Sequence, residues 1–264
     1  MRHERQAVAA LQAVILAVML AGCATGAGTA GRPVAQADPE SPKAKAAALY
    51  TELGQKYLAQ GKLEIALENL NKALAADVDH ADAHTVIALL YERIGDNAKA
   101  EEHYRRAAQL MPKSGNENNN YGAFLCKLGR YDESLTYFVR AVADPFYQTP
   151  VVALTNSGTC AIKGGRLDDA ERDLRAALER DPGNSEALFQ MATALYRKDD
   201  YFRARAFIQR YEAVGQQSAD ALMLGRNIEL RLGNGKTAQD YTRRLREKFP
   251  DSEQSRSLDT PSSP

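Results

Sequence analysis

Few side chains in this 264-residue sequence are of kinds that do chemistry, and their spacing narrows the options further. The cysteines stand at Cys23, Cys126 and Cys160, and the histidines at His3, His80, His84 and His103. None of them clusters with zinc-site spacing. His80 and His84 are four apart, but His80 falls in a loop and His84 at an inward position, so no metal pair is expected. No G-x-S-x-G, H-E-x-x-H, P-loop or dinucleotide-binding pattern occurs, so neither an enzyme nor a cofactor is expected. Lys+Arg and Asp+Glu balance at 34 each, which argues against a nucleic-acid partner. With 44% hydrophobic and 26% charged residues, the chain reads as a folded protein with a sizeable core. The residues left to consider are Cys23, two asparagines, and columns of apolar and basic side chains that only the fold can align.

Cys23 takes its meaning from what precedes it. Arg2 and Arg5 lead into a nearly unbroken apolar run of 14 residues, Ala7–Leu20. A membrane-spanning helix needs about 20 apolar residues, so this is the pattern of a signal peptide. The boundary Leu20-Ala21-Gly22-Cys23 resembles the lipobox of bacterial lipoproteins. That resemblance implies acylation of the Cys23 thiol, cleavage after Gly22 and acylation of the new α-amino group. Ala24 follows, not the Asp that in this class favours the inner membrane, so the expected address is the periplasmic face of the outer membrane. Loss of residues 1–22 leaves 33 acidic and 32 basic side chains. Residues 23–46, the lipidated cysteine and a Gly/Ala/Pro/Thr-rich stretch without periodicity, read as a tether with a relaxed span on the order of 25 Å.

The rest repeats with a period of 34 residues, the length of the tetratricopeptide helix–turn–helix. The units are 47–80, 81–114, 115–148, 151–184, 185–218 and 219–252, with Thr149-Pro150 inserted after the third. Residues 253–264 are left as a polar tail expected to be disordered. Position 8 reads Gly54, Ala88, Gly122, Gly158 and Ala192 before Arg226, and position 20 reads Ala66, Ala100, Ser134, Ala170, Ala204 and Ala238. Small residues belong where two helices cross 8–10 Å apart. Position 15 is Gly61, Gly95, Gly129, Gly165, Asp199 and Gly233, residue types that tolerate a left-handed helix end. The expected fold is all-α, a right-handed α-solenoid of six repeats. In the sixth, Leu224-Gly225 sits one residue early, so its first helix is expected to be rotated or distorted.

Such an array has a concave surface lined by first-helix positions 2, 5, 9, 12 and 13. These columns hold Leu58, Leu89, Val152, Ile162, Phe189, Tyr196, Met223 and Leu230. They form a groove for an apolar peptide or amphipathic helix, or else neighbouring repeats cover them. Position 13 gives a basic ladder, Arg93, Lys127, Lys163, Arg197 and Arg231, which either meets an acidic partner or completes helix C-termini. Asn120 and Asn156 share position 6 of adjacent repeats and either hold a ligand backbone or bridge loops. Cys126 and Cys160, at positions 12 and 10 of neighbouring first helices, are expected to be buried free thiols, since a disulfide needs Cα atoms within about 7 Å.

A lipobox followed by six tetratricopeptide repeats resembles the type IV pilus pilotins of the PilF/PilW type. Asn119-Asn120-Tyr121-Gly122-Ala123-Phe124-Leu125 and Arg130-Tyr131-Asp132-Glu133-Ser134 resemble that family's third repeat. Ala143–Pro150 sits at its third-to-fourth linker, while Ala219–Gly225 and Lys248-Phe249-Pro250 resemble its last repeat. The resemblance implies a non-enzymatic outer-membrane lipoprotein that binds pilus secretin subunits and promotes their assembly into multimers; separately, the scaffold is expected to be a monomer. An alternative with the same anchor and fold is a scaffold for cell-wall synthases or β-barrel assembly.

Overall fold

The computed structural model describes residues 41–258. Cys23 and most of the tether lie outside the described residues. Twelve helices follow as six antiparallel pairs: α1 (Pro42–Ala59) with α2 (Leu63–Ala76), α3 (Ala81–Arg93) with α4 (Asn97–Leu110), and α5 (Gly115–Lys127) with α6 (Tyr131–Ala143). Then come α7 (Pro150–Lys163) with α8 (Leu167–Arg180), α9 (Ser185–Arg197) with α10 (Tyr201–Ala213), and α11 (Ala219–Arg231) with α12 (Gly235–Lys248). The described residues contain no strand.

Local chemistry sets the boundaries. Ser41, Asp96, Asn184, Asp200, Ser218 and Ser252 each accept a hydrogen bond from the backbone N–H three residues on, so six helices carry side-chain N-caps. Each first helix stops two residues before position 15, where the residue is left-handed in every repeat: five glycines, and Asp199 at φ 60°. The paired closing bonds recur too, for example Arg130 N–H to Leu125 O at 3.0 Å and Gly129 N–H to Cys126 O at 3.1 Å. In α8, Ala170, Leu174, Ala177 and Leu178 are buried at helical spacing on one face.

Between the helices of a pair, the small column lets the partner side chain in. A Cβ on Gly158 would stand inside van der Waals contact with Leu174, which is fully buried. The sixth repeat keeps this contact with the displaced glycine: Gly225 faces the Tyr241 ring, and a Cβ there would come 2.5 Å from it. Helix α11 runs unbroken through the displacement.

Successive first helices touch one another, whereas successive second helices do not. The array therefore curves with α1, α3, α5, α7, α9 and α11 on the inside. One continuous apolar core spans repeats four to six, while the first three repeats hold smaller separate clusters.

Three expectations need correction. Helix α1 begins at Pro42 behind the Ser41 cap, five residues inside the stretch read as tether. The start of the tail forms a further helix, α13 (Glu253–Ser257), whose Ser255 is buried and whose following Leu258 packs on the last cluster with Leu222, Tyr241 and Leu245; residues 259–264 lie outside the described residues. A terminal repeat has no neighbour to cover its apolar face, and this turn covers it. Finally, Cys126 and Cys160 are not free: they form a disulfide with Cα atoms 5.8 Å apart. That is inside the limit of about 7 Å, because residues on the facing lines of two packed helices come closer than the helix axes do. Phe138 packs with both sulfurs, and Ser134 Oγ lies 3.2 Å from Cys160 Sγ.

Candidate binding faces

The inner face is less apolar and less open than its columns suggest. Leu89, Val152 and Leu230 are exposed on it, while Leu58, Phe189, Tyr196 and Met223 are half-buried. Phe189 leans on Tyr211 and Tyr196 on Tyr201, with ring centroids 5.8 and 5.5 Å apart. Ile162 does not line the groove at all. It is 6% exposed within the core of repeats four to six, because position 12 of its helix points into the next repeat.

The basic ladder is mostly committed within the chain. Arg93 Nη1 donates to Leu58 O at 2.8 Å, and Arg197 Nη1 donates to Ile162 O, each reaching back 35 residues to the end of the preceding first helix. Each carbonyl also accepts the N–H of the left-handed glycine that closes its helix, Gly61 at 3.0 Å and Gly165 at 3.1 Å, so the guanidinium takes the second lone pair. Lys127 pairs with Glu92, and Arg231 Nε donates to Tyr201 Oη at 2.9 Å. Lys163 forms no hydrogen bond or ion pair among the described residues. The column thus ties repeat to repeat, with Lys163 left over.

The two asparagines separate. Asn156 Nδ2 donates to Asn119 Oδ1 at 3.1 Å and bridges α7 to α5. Asn120 makes no hydrogen bond among the described residues and stays half-buried. Position 5, which carries Phe189 and Met223 in the last two repeats, reads Thr51, Thr85, Asn119 and Thr155 in the first four, all buried. Thr85 Oγ1 and Thr155 Oγ1 lack a partner. A column of small polar residues is legible only once the repeat frame is known.

His84 pairs with His103 on α4, not with His80: the two Nδ1 atoms are 2.9 Å apart, and His84 Nε2 lies 3.0 Å from Val78 O. Burial lowers the pKa of both, His103 being lowered further by His84. Among the described residues no three His, Cys, Asp or Glu side chains group as a metal site.

Electrostatics concentrates between repeats. Glu171 on α8 accepts from Lys198 at 2.5 Å, Arg203 at 2.7 Å and Arg175 at 2.6 Å. The hydrogen bond from Lys198, followed by that from Arg203, holds its carboxyl down at about 2 despite burial. Glu117 is the opposite case: burial pushes it up, the hydroxyl of Ser114 partly offsets this, and Asp82 raises it further.

The fold can be set beside known proteins. Tetratricopeptide-repeat family models match residues 51–115 and 161–228. The crystal structure of PilW, a widely conserved type IV pilus biogenesis factor, superposes with a TM-score of 0.75 at 33% identity, over 81% of this chain and 98% of that one. The structure of Pseudomonas aeruginosa PilF superposes with a TM-score of 0.73 at 27% identity, over 83% of this chain and 98% of that one. In sequence, the type IV pilus assembly protein PilF of that organism is 29% identical over 238 residues, 90% of this chain and 92% of the relative.

Proposed function

The chain belongs to the PilF/PilW family of tetratricopeptide-repeat proteins of type IV pilus biogenesis, and on that premise we propose that it is an outer-membrane pilotin. In this reading the Cys23 lipids anchor it to the periplasmic leaflet, with several acyl chains giving firm attachment at about 0.8 kcal/mol per buried CH₂. The scaffold binds pilus secretin subunits and promotes their multimer assembly. It needs no catalytic group, cofactor or metal, since a preformed helical surface holds a partner segment without chemistry.

The observation that supports this best is the near full-length match, over almost the entire folded part, to two proteins of type IV pilus biogenesis. Tetratricopeptide proteins of this kind bind proteins, and the inner face offers exposed Leu89, Val152 and Leu230 beside Asn120 for doing so.

Deleting the gene should abolish heat-resistant secretin multimers and surface pili, with both restored by the wild-type copy. Normal multimers in the deletion strain would overturn the assignment. Cys23→Ala should yield a folded repeat domain that no longer fractionates with the outer membrane, and unchanged fractionation would overturn the anchor.

A further inference from the structure

The connection between the third and fourth repeats breaks the 34-residue period, yet it is firmly built. Tyr147 turns inward, 8% exposed against Ala141 and Ala153, and takes the space that a Cβ on Gly115 would occupy. Asp144 closes the loop over it. Its Oδ1 accepts the N–H of Phe146 at 2.9 Å and its Oδ2 accepts the N–H of Gly115 at 2.8 Å. Gln148 Nε2 donates to Phe146 O at 2.8 Å. The result is a pinned backbone that holds the Phe146 ring 83% exposed.

A large apolar ring fixed in water is an interface anchor whose ordering cost has been met in the free protein. A depression of about 530 Å³ opens beside it, floored by Pro112, Ala143 and Pro145. Val139, one turn before Ala143 on the same side of α6, extends the apolar surface at 64% exposure. Lys113 and Arg140 stand on the rim, and neither forms an ion pair among the described residues. The rim carboxylate, Asp144, is turned to the two backbone N–H groups.

We propose that this outer-edge surface docks a segment of a partner protein in which an apolar side chain is flanked by carboxylates. The apolar residue fills the depression against Phe146, and the carboxylates meet Lys113 and Arg140. A second copy of this chain is disfavoured, because a two-fold contact would set the same cations against each other. The surface is separate from the inner face, and it rests on the pilus reading only for the identity of the partner.

A benzophenone amino acid placed at position 146 of the full chain, in cells that make the protein, tests the proposal. The exposed Phe202, on α10, is the control position. The expected result is an adduct at 146, absent at 202, that maps to a protein segment with acidic residues around an apolar one. Lys113→Glu/Arg140→Glu should cut its yield at least about tenfold. No protein adduct at 146, equal adducts at 202, a segment without acidic residues, a lipid or a second copy would each overturn the proposal. So would a yield indifferent to charge reversal. An acidic segment from a protein outside the pilus apparatus would keep the docking site and overturn the pilus assignment. Secretin adducts from position 89 with none from 146 would do the reverse.

Discussion

Reducing the Cys126–Cys160 disulfide should loosen the solenoid at one interface. The bond joins residues 34 apart, on the first helices of the third and fourth repeats. On the chain-entropy model, a loop of that length adds about 4 kcal/mol to stability. For a folded part of this size, that corresponds to a melting shift of about 8–16 °C. The loss should be local. Repeat arrays are held by nearest-neighbour contacts, and this is the interface where Thr149-Pro150 interrupts the period. Reduction exposes no new polar demand, because Ser134 Oγ already sits 3.2 Å from Cys160 Sγ and can partner a thiol. Urea unfolding with and without reductant, followed by hydrogen exchange, measures the effect. Protection should fall first in α5–α7, and one transition should separate toward two. Cys126→Ala/Cys160→Ala should match the reduced protein and ignore reductant. A stability change below about 1 kcal/mol, or loss of protection spread evenly over all repeats, would refute the reasoning.

Other perturbations test the packing and the charge network. Gly158→Val should cost at least about 1–3 kcal/mol, because the new side chain overlaps buried Leu174. Gly235→Ala, with open space around it, should be neutral or stabilising in the same denaturation assay. Arg93→Ala and Arg197→Ala should each lose about 1 kcal/mol by removing a charge-assisted hydrogen bond between repeats. Lys163→Ala should stay within about 0.5 kcal/mol, and equal losses at all three positions would contradict the inter-repeat role. Glu171 has its folded pKa lowered to about 2 from an ordinary 4.5, so its contribution is complete above 4.5 and is lost as pH falls toward 2. Glu171→Gln should flatten that acid limb of the stability–pH curve, by at most about 3 kcal/mol given its half-exposed partners. An unchanged limb would show that the Lys198–Arg203 cage does not hold the charge.

The sequence by itself determined the repeat frame, the helix pairs, the left-handed turn column and the small residues at the crossings. These follow from spacing within one unit, and spacing is written along the chain. It also carried the resemblance to the pilus family in stretches such as Asn119–Leu125. Only the tertiary structure decided what lies between units. Arg93 and Arg197 reach back 35 residues to backbone carbonyls, acceptors that no side-chain type marks. The cysteines face each other because two neighbouring helices present those particular lines, with the inserted pair shifting the register. Ile162 leaves the groove because the next repeat covers it. Within the aperiodic linker, nothing in Phe146-Tyr147 says which ring is buried. Asp144, Gly115 and the space beneath α5 decide that Tyr147 goes in and Phe146 stays out. Contacts distant along the chain depend on how the repeats stack, and the stacking is set by all of them together.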